Sequence, residues 1–398
     1  MTDQDAVTLL QKKLNQPTDG GDLKELAKAL ENMPLAIVQA AAYIQEKGPR
    51  YSVRQYIEAF QRSEKQQRSL LNYEAGHLRR DPEARNSIII TWQISFDEIR
   101  ENWPASANLL SLMSFFDRQG IPEEVLKVQL RGGESEDLTN QTSGADVEEV
   151  EDEEDGDRSE ASSDDLFEKA VERLQSYSFV SIGEKRGTLE IHSLIQLATR
   201  KWLTMHHEEE KWKVLFSRKL NTVFPDGDHE NWSWCEVLFP HAKSAEKQRP
   251  AEVSSVREWA QILRNAAWYA LARGYYGEAK RMCEKSVGAL RKASGEDDVE
   301  TSYSLGLLAS ICSSQGRWTE AEKMQVQVME TRKRVLGDEH PDTLTSINNL
   351  AFTMKELGRK MEATKLMAEC VKLRNRVLGT EHPHALSSAA VLADWQKF

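Results

Sequence analysis

The amino-acid sequence predicts a mainly α-helical protein, in which a small helical bundle and a winged helix precede an α-solenoid of stacked helical hairpins. Three sets of residues in the C-terminal third share a 42-residue spacing: Gly274, Gly316 and Gly358; the Glu-Ala pairs that begin at Glu278, Glu320 and Glu362; and Gly295, Gly337 and Gly379. A fixed period of this length is the sequence signature of repeat architectures. We therefore expect a helical array over residues 206–398.

Apolar residues within each 42-residue unit follow the spacing of two helices. Leu344, Ile347 and Leu350 recur at three-residue intervals on one segment, and Ala363 and Leu366 begin a similar series on the next. The glycines between the segments supply backbone conformations that other residues adopt at a cost. Each unit is therefore predicted to be a helical hairpin.

The first 80 residues predict a small bundle of helices. An apolar segment at 35–44 follows a second helical segment at 22–30, and Pro34 separates them because proline breaks a helix from within. A further helix is expected at 52–62. Together these segments form a predicted helical domain over residues 1–80.

Residues 81–205 predict a winged-helix-like domain. Short helices are expected at 86–102, 106–116 and 122–130, and a helix from residue 193 closes the domain. Between them, the runs 179–182 and 188–192 flank a glycine-containing turn and predict a β-hairpin, the wing.

A strongly acidic insertion interrupts this domain at residues 132–165. Between Glu134 and Asp165 there are 15 acidic residues and one basic residue, Arg158, so the segment carries a charge of -14. Like-charge repulsion opposes collapse, and we expect the insertion to be disordered. The net charge of the whole chain is -12. The remainder is therefore nearly neutral at +2, and it lacks the basic excess of nucleic-acid-binding proteins.

Cysteine spacing and hydropathy favour a cytoplasmic protein with no membrane association. The four cysteines lie far apart without a CxxC pair, which indicates reduced thiols and gives no pattern for a structural zinc site or a disulfide framework. The sequence shows no signal-peptide pattern and no apolar run of the roughly 20 residues that a membrane helix needs.

The segments GDEHPDTLTSINNLA and GTEHPHALSSAAVLA resemble tetratricopeptide repeats of the 42-residue kinesin-light-chain type. In the first unit Asp298-Val299 replaces the His-Pro pair. The resemblance implies a concave surface that binds a protein or peptide, with asparagines of the first helix gripping the ligand backbone. It assigns this role to Asn348 and Asn349.

Not every repeat carries this asparagine. Leu307 and Val391 occupy the position of Asn349 in the neighbouring units, so a repeated clamp is not supported. Tyr303, Arg332 and Arg334 are further candidates for the exposed surface, although solvation alone explains the two arginines.

The order of motifs along the chain resembles the NB-ARC/NACHT signal-transduction ATPases typical of fungi. The segment Asn32-Met33-Pro34-Leu35-Ala36 is similar to their GLPLA motif, whose proline packs on the adenine of bound ADP. The segment that begins Ile191-His192-Ser193 is similar to their MHD motif, whose histidine reaches the ADP phosphates. By this resemblance residues 1–80 are an ARC-like segment, and Pro34 and His192 are cofactor-binding residues.

The two motifs match only in part. Asn32 replaces the glycine of the first motif, and Ser193 replaces the frequent aspartate of the second. The alternative interpretation is that Pro34 only starts a helix and His192 only closes the hairpin.

The sequence lacks a phosphate-binding loop. It contains no Gly-Lys dipeptide and no GxGxxG motif, so the glycine cradle and lysine of GxxxxGK[ST] are missing. GxSxG and HExxH motifs are also missing. Adjacent His206 and His207 point about 100° apart on a helix and cannot chelate one metal ion. We interpret the chain as the C-terminal part of such an ATPase without its nucleotide-binding core, and we expect no intrinsic ATPase activity.

The leading functional prediction is a non-catalytic protein–protein interaction or regulatory protein, the sensor and scaffold portion of a switch protein. It requires no cofactor, although ADP is a possible ligand. The alternative is an ADP-binding nucleotide switch of the same family, or a hydrolase completed by a P-loop subunit.

A third alternative is DNA binding by the winged helix, with Lys185, Arg186, Arg200 and Lys201 as phosphate contacts. It ranks last because of the acidic insertion, and nucleic acid is not an expected partner.

Overall fold

A computed structural model describes residues 1–14, 18–71, 82–127 and 163–397 of the chain. These residues are mostly helical, which confirms the predicted mainly α fold. The chain divides into two compact units, Met1–Lys219 and Leu220–Phe398, and each is described by itself. None of the helices in the described ranges combines the length and the apolar character needed to cross a membrane.

The N-terminal unit contains helices and three short strands. In chain order they are α1 (Asp3–Leu14), α2 (Gly20–Ala29), α3 (Pro34–Glu46), α4 (Val53–Leu71), α5 (Pro82–Asn102), α6 (Pro104–Met113), β1 (Ile121–Pro122), α7 (Glu123–Lys127), α8 (Ser163–Ser176), β2 (Val180–Ile182), β3 (Thr188–Ile191) and α9 (Ser193–Met205). Helix α10 (Glu209–Val223) runs across the division between the units.

Helix α3 is the centre of the first part of this unit. Pro34 is its first residue, a position where the missing proline N–H has no helical partner to lose. Ala36, Ile37 and Ala40 are fully buried, and α3 packs against both α1 and α5. The predicted helical segments around Pro34 are thus confirmed.

The strands form a small antiparallel sheet in the order β1-β3-β2. Ile121 lies opposite Leu189, and Val180 lies opposite Ile191. The β2–β3 hairpin confirms the two predicted strands. Strand β1 was not predicted, because two residues carry no readable alternation; the sequence indicated a helix from residue 122, and α7 begins one residue later.

The acidic insertion predicted at 132–165 lies outside the described residues, except for its last three positions. Those three, Ser163, Asp164 and Asp165, form the first turn of α8, so the prediction of disorder is wrong there. The physical reason is that carboxylates interact favourably with the positive end of the helix dipole when they lie in the first turn.

The C-terminal unit contains helices joined by short turns. After a 3₁₀ turn (His229–Asn231) come α11 (Trp232–Ala245), α12 (Val253–Ala272), α13 (Tyr276–Ser294), α14 (Val299–Ser314), α15 (Trp318–Leu336), α16 (Pro341–Glu356), α17 (Lys360–Leu378) and α18 (Pro383–Trp395). From α12 onward each helix packs mainly against the next, while α14 also contacts both α12 and α16. The predicted stack of helical hairpins is confirmed.

Glycine makes the turns between these helices possible. The glycines between the two helices of a hairpin and those between hairpins all have positive φ, a region that disfavours other residues: Gly274, Gly316 and Gly358 have φ of 78°, 73° and 82°, and Gly295, Gly337 and Gly379 have φ of 91°, 96° and 90°. The 42-residue period of these glycines therefore reflects a repeated backbone conformation.

Candidate functional site

The first helices of the repeats carry polar and aromatic side chains that are not fully buried. Thr345, Asn348, Asn349 and Phe352 lie on one side of α16, because residues three or four apart on a helix are neighbours. None of the four is fully buried, and Phe352 is 40% exposed. We call the equivalent sides of α12, α14, α16 and α18 the first-helix face.

Two aromatic residues on this face occupy the same repeat position. Trp268 on α12 and Phe352 on α16 are two periods apart, and each is 40% exposed. Ser310, the equivalent residue of α14, is small. Sequence reasoning missed this pair, although its 84-residue separation, twice the repeat period, would have revealed it.

Tyr303 lies on the first-helix face but is held by neighbouring side chains. Its hydroxyl donates a hydrogen bond to Oδ2 of Asp342 at 2.7 Å. The guanidinium carbons of Arg332 and Arg264 lie 4.9 and 5.5 Å from its ring centre. Burial, followed by the contact with Asp342, raises the pKa of Tyr303 to about 12. Its position on the first-helix face is therefore fixed.

Arg332 is a structural residue, so the prediction that it lies at the solvated surface is wrong. Its side chain is only 7% exposed. Nη1 donates to the carbonyl oxygen of Asp342 at 3.0 Å, and Nε donates to the hydroxyl of Ser302 at 3.3 Å. Arg374, one period later, donates from Nη1 to the carbonyl oxygen of His384 at 3.0 Å. Both arginines satisfy a carbonyl in the first turn of the next hairpin.

Asn348 and Asn349 differ in how they are engaged. The side-chain oxygen Oδ1 of Asn348 accepts a hydrogen bond from the hydroxyl of Ser388 at 3.0 Å, which ties α16 to α18. Its side-chain amide nitrogen donates to the side-chain oxygen Oδ1 of Asn349 at 3.5 Å. Among the described residues, the side-chain nitrogen Nδ2 of Asn349 donates no hydrogen bond. Asn349 is therefore the better placed of the two to bind a partner backbone.

His192 caps a helix in the same way as the histidines of the repeats. Its Nδ1 accepts a hydrogen bond from the backbone N–H of Leu194 at 3.2 Å, at the start of α9. Nδ1 of His340 and of His382 accept equivalent bonds at 3.2 and 3.1 Å. Partial desolvation of the ring, with a smaller contribution from Arg118, lowers the pKa of His192. A neutral ring keeps the acceptor that the cap requires.

Pro34 and His192, the two residues that resemble an ADP site, lie in the N-terminal unit. Both are exposed, at the first position of α3 and at the N-cap of α9. Within the described ranges no hydrogen bond or ring contact joins them. Their placement in one nucleotide site therefore stays a prediction.

One of the four cations proposed to contact DNA is unavailable. Arg200 donates from Nε to the carbonyl oxygen of Ser114 at 2.5 Å, and its guanidinium carbon lies 5.4 Å from the ring centre of Phe115. Burial lowers the pKa of Arg200 to about 10. Lys185 and Arg186 are exposed in the hairpin turn. The interpretation of Arg200 as a phosphate contact is wrong.

Two family models match the chain. The model described as tetratricopeptide repeat matches residues 259–333 and 303–373. The model described as a domain of unknown function, DUF7779, matches residues 97–209. The C-terminal unit is therefore a tetratricopeptide-repeat array, of the kind that the 42-residue period predicted.

Individual relatives extend this finding. A protein of Hyaloscypha variabilis, described as a nucleotide-binding leucine-rich repeat (NLR)-like protein, is 30% identical over 314 residues. The match includes 77% of this chain and 28% of the relative, so the chain spans less than a third of the relative's length. The chain is thus similar to an NLR-like protein over most of its own length.

Solved structures of tetratricopeptide-like repeats also match the chain. Two structures of a Podosopora anserina protein, described as a kinesin light chain with nearly identical TPR-like repeats, are 23% identical to it. Each covers 47% of this chain, and the match includes 84% and 85% of the respective structures. The TM-scores are 0.35 and 0.34.

Proposed function

We propose that the chain is a non-catalytic interaction and regulatory module, which binds a polypeptide on a concave face formed by α12, α14, α16 and α18. The observation that carries the proposal is the pair of exposed aromatic residues, Trp268 and Phe352, at one repeat position, with the amide of Asn349 beside Phe352. Aromatic side chains and side-chain amides suit a peptide, because they bind its apolar side chains and its main chain respectively.

The wider role follows from the relative. The match with this chain covers about a quarter of the NLR-like relative. This similarity supports a role for the chain as the sensor and scaffold portion of a switch protein. The four buried cysteines are free thiols, which supports a cytoplasmic location. The absence of a Gly-Lys dipeptide from the sequence supports a module without ATPase activity of its own.

Peptide selection against the full chain tests this function. A displayed random-peptide library is selected on the immobilised protein, and the affinity of the selected peptide is then measured by fluorescence anisotropy. We expect Asn349→Ala and Phe352→Ala each to weaken binding about tenfold, because a few central contacts dominate peptide affinity. Asn375→Ala is the matched control, since Asn375 is a partly exposed residue of the second helix α17.

Two outcomes would contradict the proposal. The library could yield no specific peptide, or Asn375→Ala could weaken binding as much as Asn349→Ala. Circular dichroism of each variant shows whether a loss of affinity comes from unfolding.

A second candidate function is an ADP-binding switch. The observation that favours it is the exposure of both Pro34 and His192 at helix N-termini, together with the nucleotide-binding description of the relative. Titration of fluorescent ADP against the full chain tests it. Micromolar affinity that is lost in His192→Ala but kept in His340→Ala, a matched change of a repeat N-cap, would favour the switch over the non-nucleotide module.

A further inference from the structure

A cleft of about 670 Å³ opens beside the turn between α12 and α13, on the side of α11. Phe239 and Tyr269 form its buried floor, at 8% and 3% exposure, while Tyr275 and Tyr276 form its rim, at 49% and 42% exposure. Clefts of this volume bind ligands in many proteins. The cleft lies away from Asn349 and Phe352, and it plays no part in the function proposed above.

The cleft departs from the pattern of the later repeats at one position. Tyr275 occupies the turn position that Arg317 and Arg359 occupy in the next two units. All three residues are N-caps with nearly equal backbone angles, φ of -82°, -88° and -85° and ψ of 59°, 58° and 56°. The guanidinium groups pair with Glu320 and Glu362, from Nε to Oε1 at 2.9 and 2.8 Å. The first unit alone among these three lacks a guanidinium at this position.

Two carboxylates line the cleft, and one of them is open to a guanidinium. Glu278, the equivalent of Glu320 and Glu362, pairs with Lys243 at 2.6 Å, and Lys243 also lines the cleft, with its ammonium 4.8 Å from the ring centre of Phe239. Glu236 also lines the cleft, and it forms no ion pair within the described part of the chain. Pro240 adds a further acceptor, because its missing N–H leaves the carbonyl of Glu236 without the usual helical donor.

We infer that this cleft binds an arginine side chain of a partner polypeptide. A guanidinium carries five donors, stacks on aromatic rings and pairs with carboxylates in a planar geometry. The cleft offers tyrosine rings for stacking and the carboxylate and carbonyl of Glu236 for hydrogen bonding. The partner's arginine stacks beside Tyr275 and pairs with Glu236, because Lys243 already occupies Glu278, the equivalent of the glutamates that bind the turn arginines.

Arg273 lines the same cleft and opposes this binding by its like charge. Its guanidinium carbon lies 5.4 Å from the ring centre of Trp232 and 6.0 Å from that of Tyr269. It forms no ion pair with Glu236 among the described residues. The equivalent residue of the next repeat is Gln315, so Arg273→Gln is a substitution that the fold accommodates and that strengthens arginine binding.

Fluorescence anisotropy on the full chain tests the inference with two capped peptides, Ala-Leu-Arg-Leu-Ala and the same peptide with citrulline in place of arginine. Citrulline keeps the shape of the side chain and removes its charge. We expect the arginine peptide to bind about tenfold more tightly, from stacking and one charge pair. Tyr275→Arg removes one stacking ring and places a guanidinium of the chain itself in the cleft. This variant should bind the arginine peptide about tenfold more weakly.

The variants separate this site from the first-helix face. Asn349→Ala should leave arginine-peptide binding unchanged, and Arg273→Gln should strengthen it. Tyr275→Arg is expected to fold, because arginine stands in the same backbone conformation at two other turns. Equal affinity for the citrulline peptide, no binding of either peptide, or unchanged binding in Tyr275→Arg would overturn the inference.

Discussion

Replacing Arg332 by alanine should loosen the repeat array, whereas the same change two residues later should not. Arg332 is 7% exposed, and it joins α15 to both neighbouring first helices through Ser302 and the carbonyl of Asp342. Its guanidinium also stacks on the ring of Tyr303 at 4.9 Å. Within the described part of the chain Arg334 pairs only with Asp297, and both of those side chains are at least 60% exposed.

The expected loss follows from these contacts. A hydrogen bond from a charged donor contributes about 1.5–3 kcal/mol, and a cation–π contact adds about 1 kcal/mol. The recovered hydration of the removed charge offsets part of this sum. We therefore expect Arg332→Ala to lower the local free energy of unfolding by about 2–3 kcal/mol. An exposed ion pair contributes little, so Arg334→Ala should cause no resolvable change.

Hydrogen–deuterium exchange of the full chain is the appropriate assay, because it measures opening helix by helix and does not require two-state unfolding. Exchange in the cores of α14 and α16 should accelerate about 30- to 150-fold in Arg332→Ala. Arg374→Ala should have a similar effect on α18. Equal exchange in Arg332→Ala and Arg334→Ala would refute the conclusion that the buried guanidinium joins the repeats.

Three further predictions concern Gln39, His192 and two cysteines. Gln39 is fully buried in α3, and neither its amide oxygen nor its amide nitrogen has a hydrogen-bond partner; Gln39→Met should therefore stabilise the N-terminal unit by about 1–3 kcal/mol, visible as slower hydrogen exchange in α3, and unchanged or faster exchange would contradict this. The pKa of His192 is lowered from 6.5 by partial desolvation, so its cap of the Leu194 N–H contributes fully above pH 6.5 and is lost as the pH falls below that value. His192→Asn keeps a cap without a titratable group and should remove the pH dependence of exchange at the start of α9, whereas a dependence that persists would exclude His192 as its source. Burial raises the pKa of Cys235 to about 11 and also raises that of Cys283; Ellman's reagent should react with neither thiol until denaturant is added, and rapid labelling of the native protein would show that these thiols are accessible.

The helical array was predictable because its determinants are local and repeated. Turn glycines, small residues at helix contacts and apolar residues at helical spacing each recur with the same period, as at Gly316, Gly358 and Ala351. The packing of Leu344, Ile347 and Cys370 into one buried cluster follows from that spacing. A two-residue strand such as β1 carries no comparable periodicity, and its pairing with β3 is a long-range event.

The buried arginines were not predictable from residue type, because their partners are backbone carbonyls in the following hairpin. Arg332 and Arg334 look alike in the sequence, and only the fold separates the buried one from the exposed one. The sequence shows that Arg332 and Arg374 are one period apart, which indicates a shared role. Arg334 and Arg376 have the same spacing, however, and both form exposed ion pairs. Periodicity therefore identifies a repeated role without revealing which role it is.

The candidate sites show the same limit. The period identifies the helix positions of Asn348 and Asn349, but it does not show that Ser388 engages one of them and leaves the other available. The cleft beside the turn between α12 and α13 was not predicted from the sequence, although Tyr275 stands where two later units have arginine. Repeat positions at which one unit differs from the others are therefore as informative as the positions that all units share.

The glycines that close each hairpin make every unit interchangeable at its boundaries. Gly295, Gly337 and Gly379 end the second helix of each hairpin in an extended conformation, with ψ of 177°, 161° and 155°. The hydroxyls of Thr301 and Thr343 donate to the carbonyl oxygens of Gly295 and Gly337 at 2.9 and 2.8 Å. Unequal recombination between two such repeats would add or delete 42 residues and keep the same backbone conformation where the repeats connect. The array can therefore lengthen or shorten by whole units, while single substitutions diversify each copy afterwards.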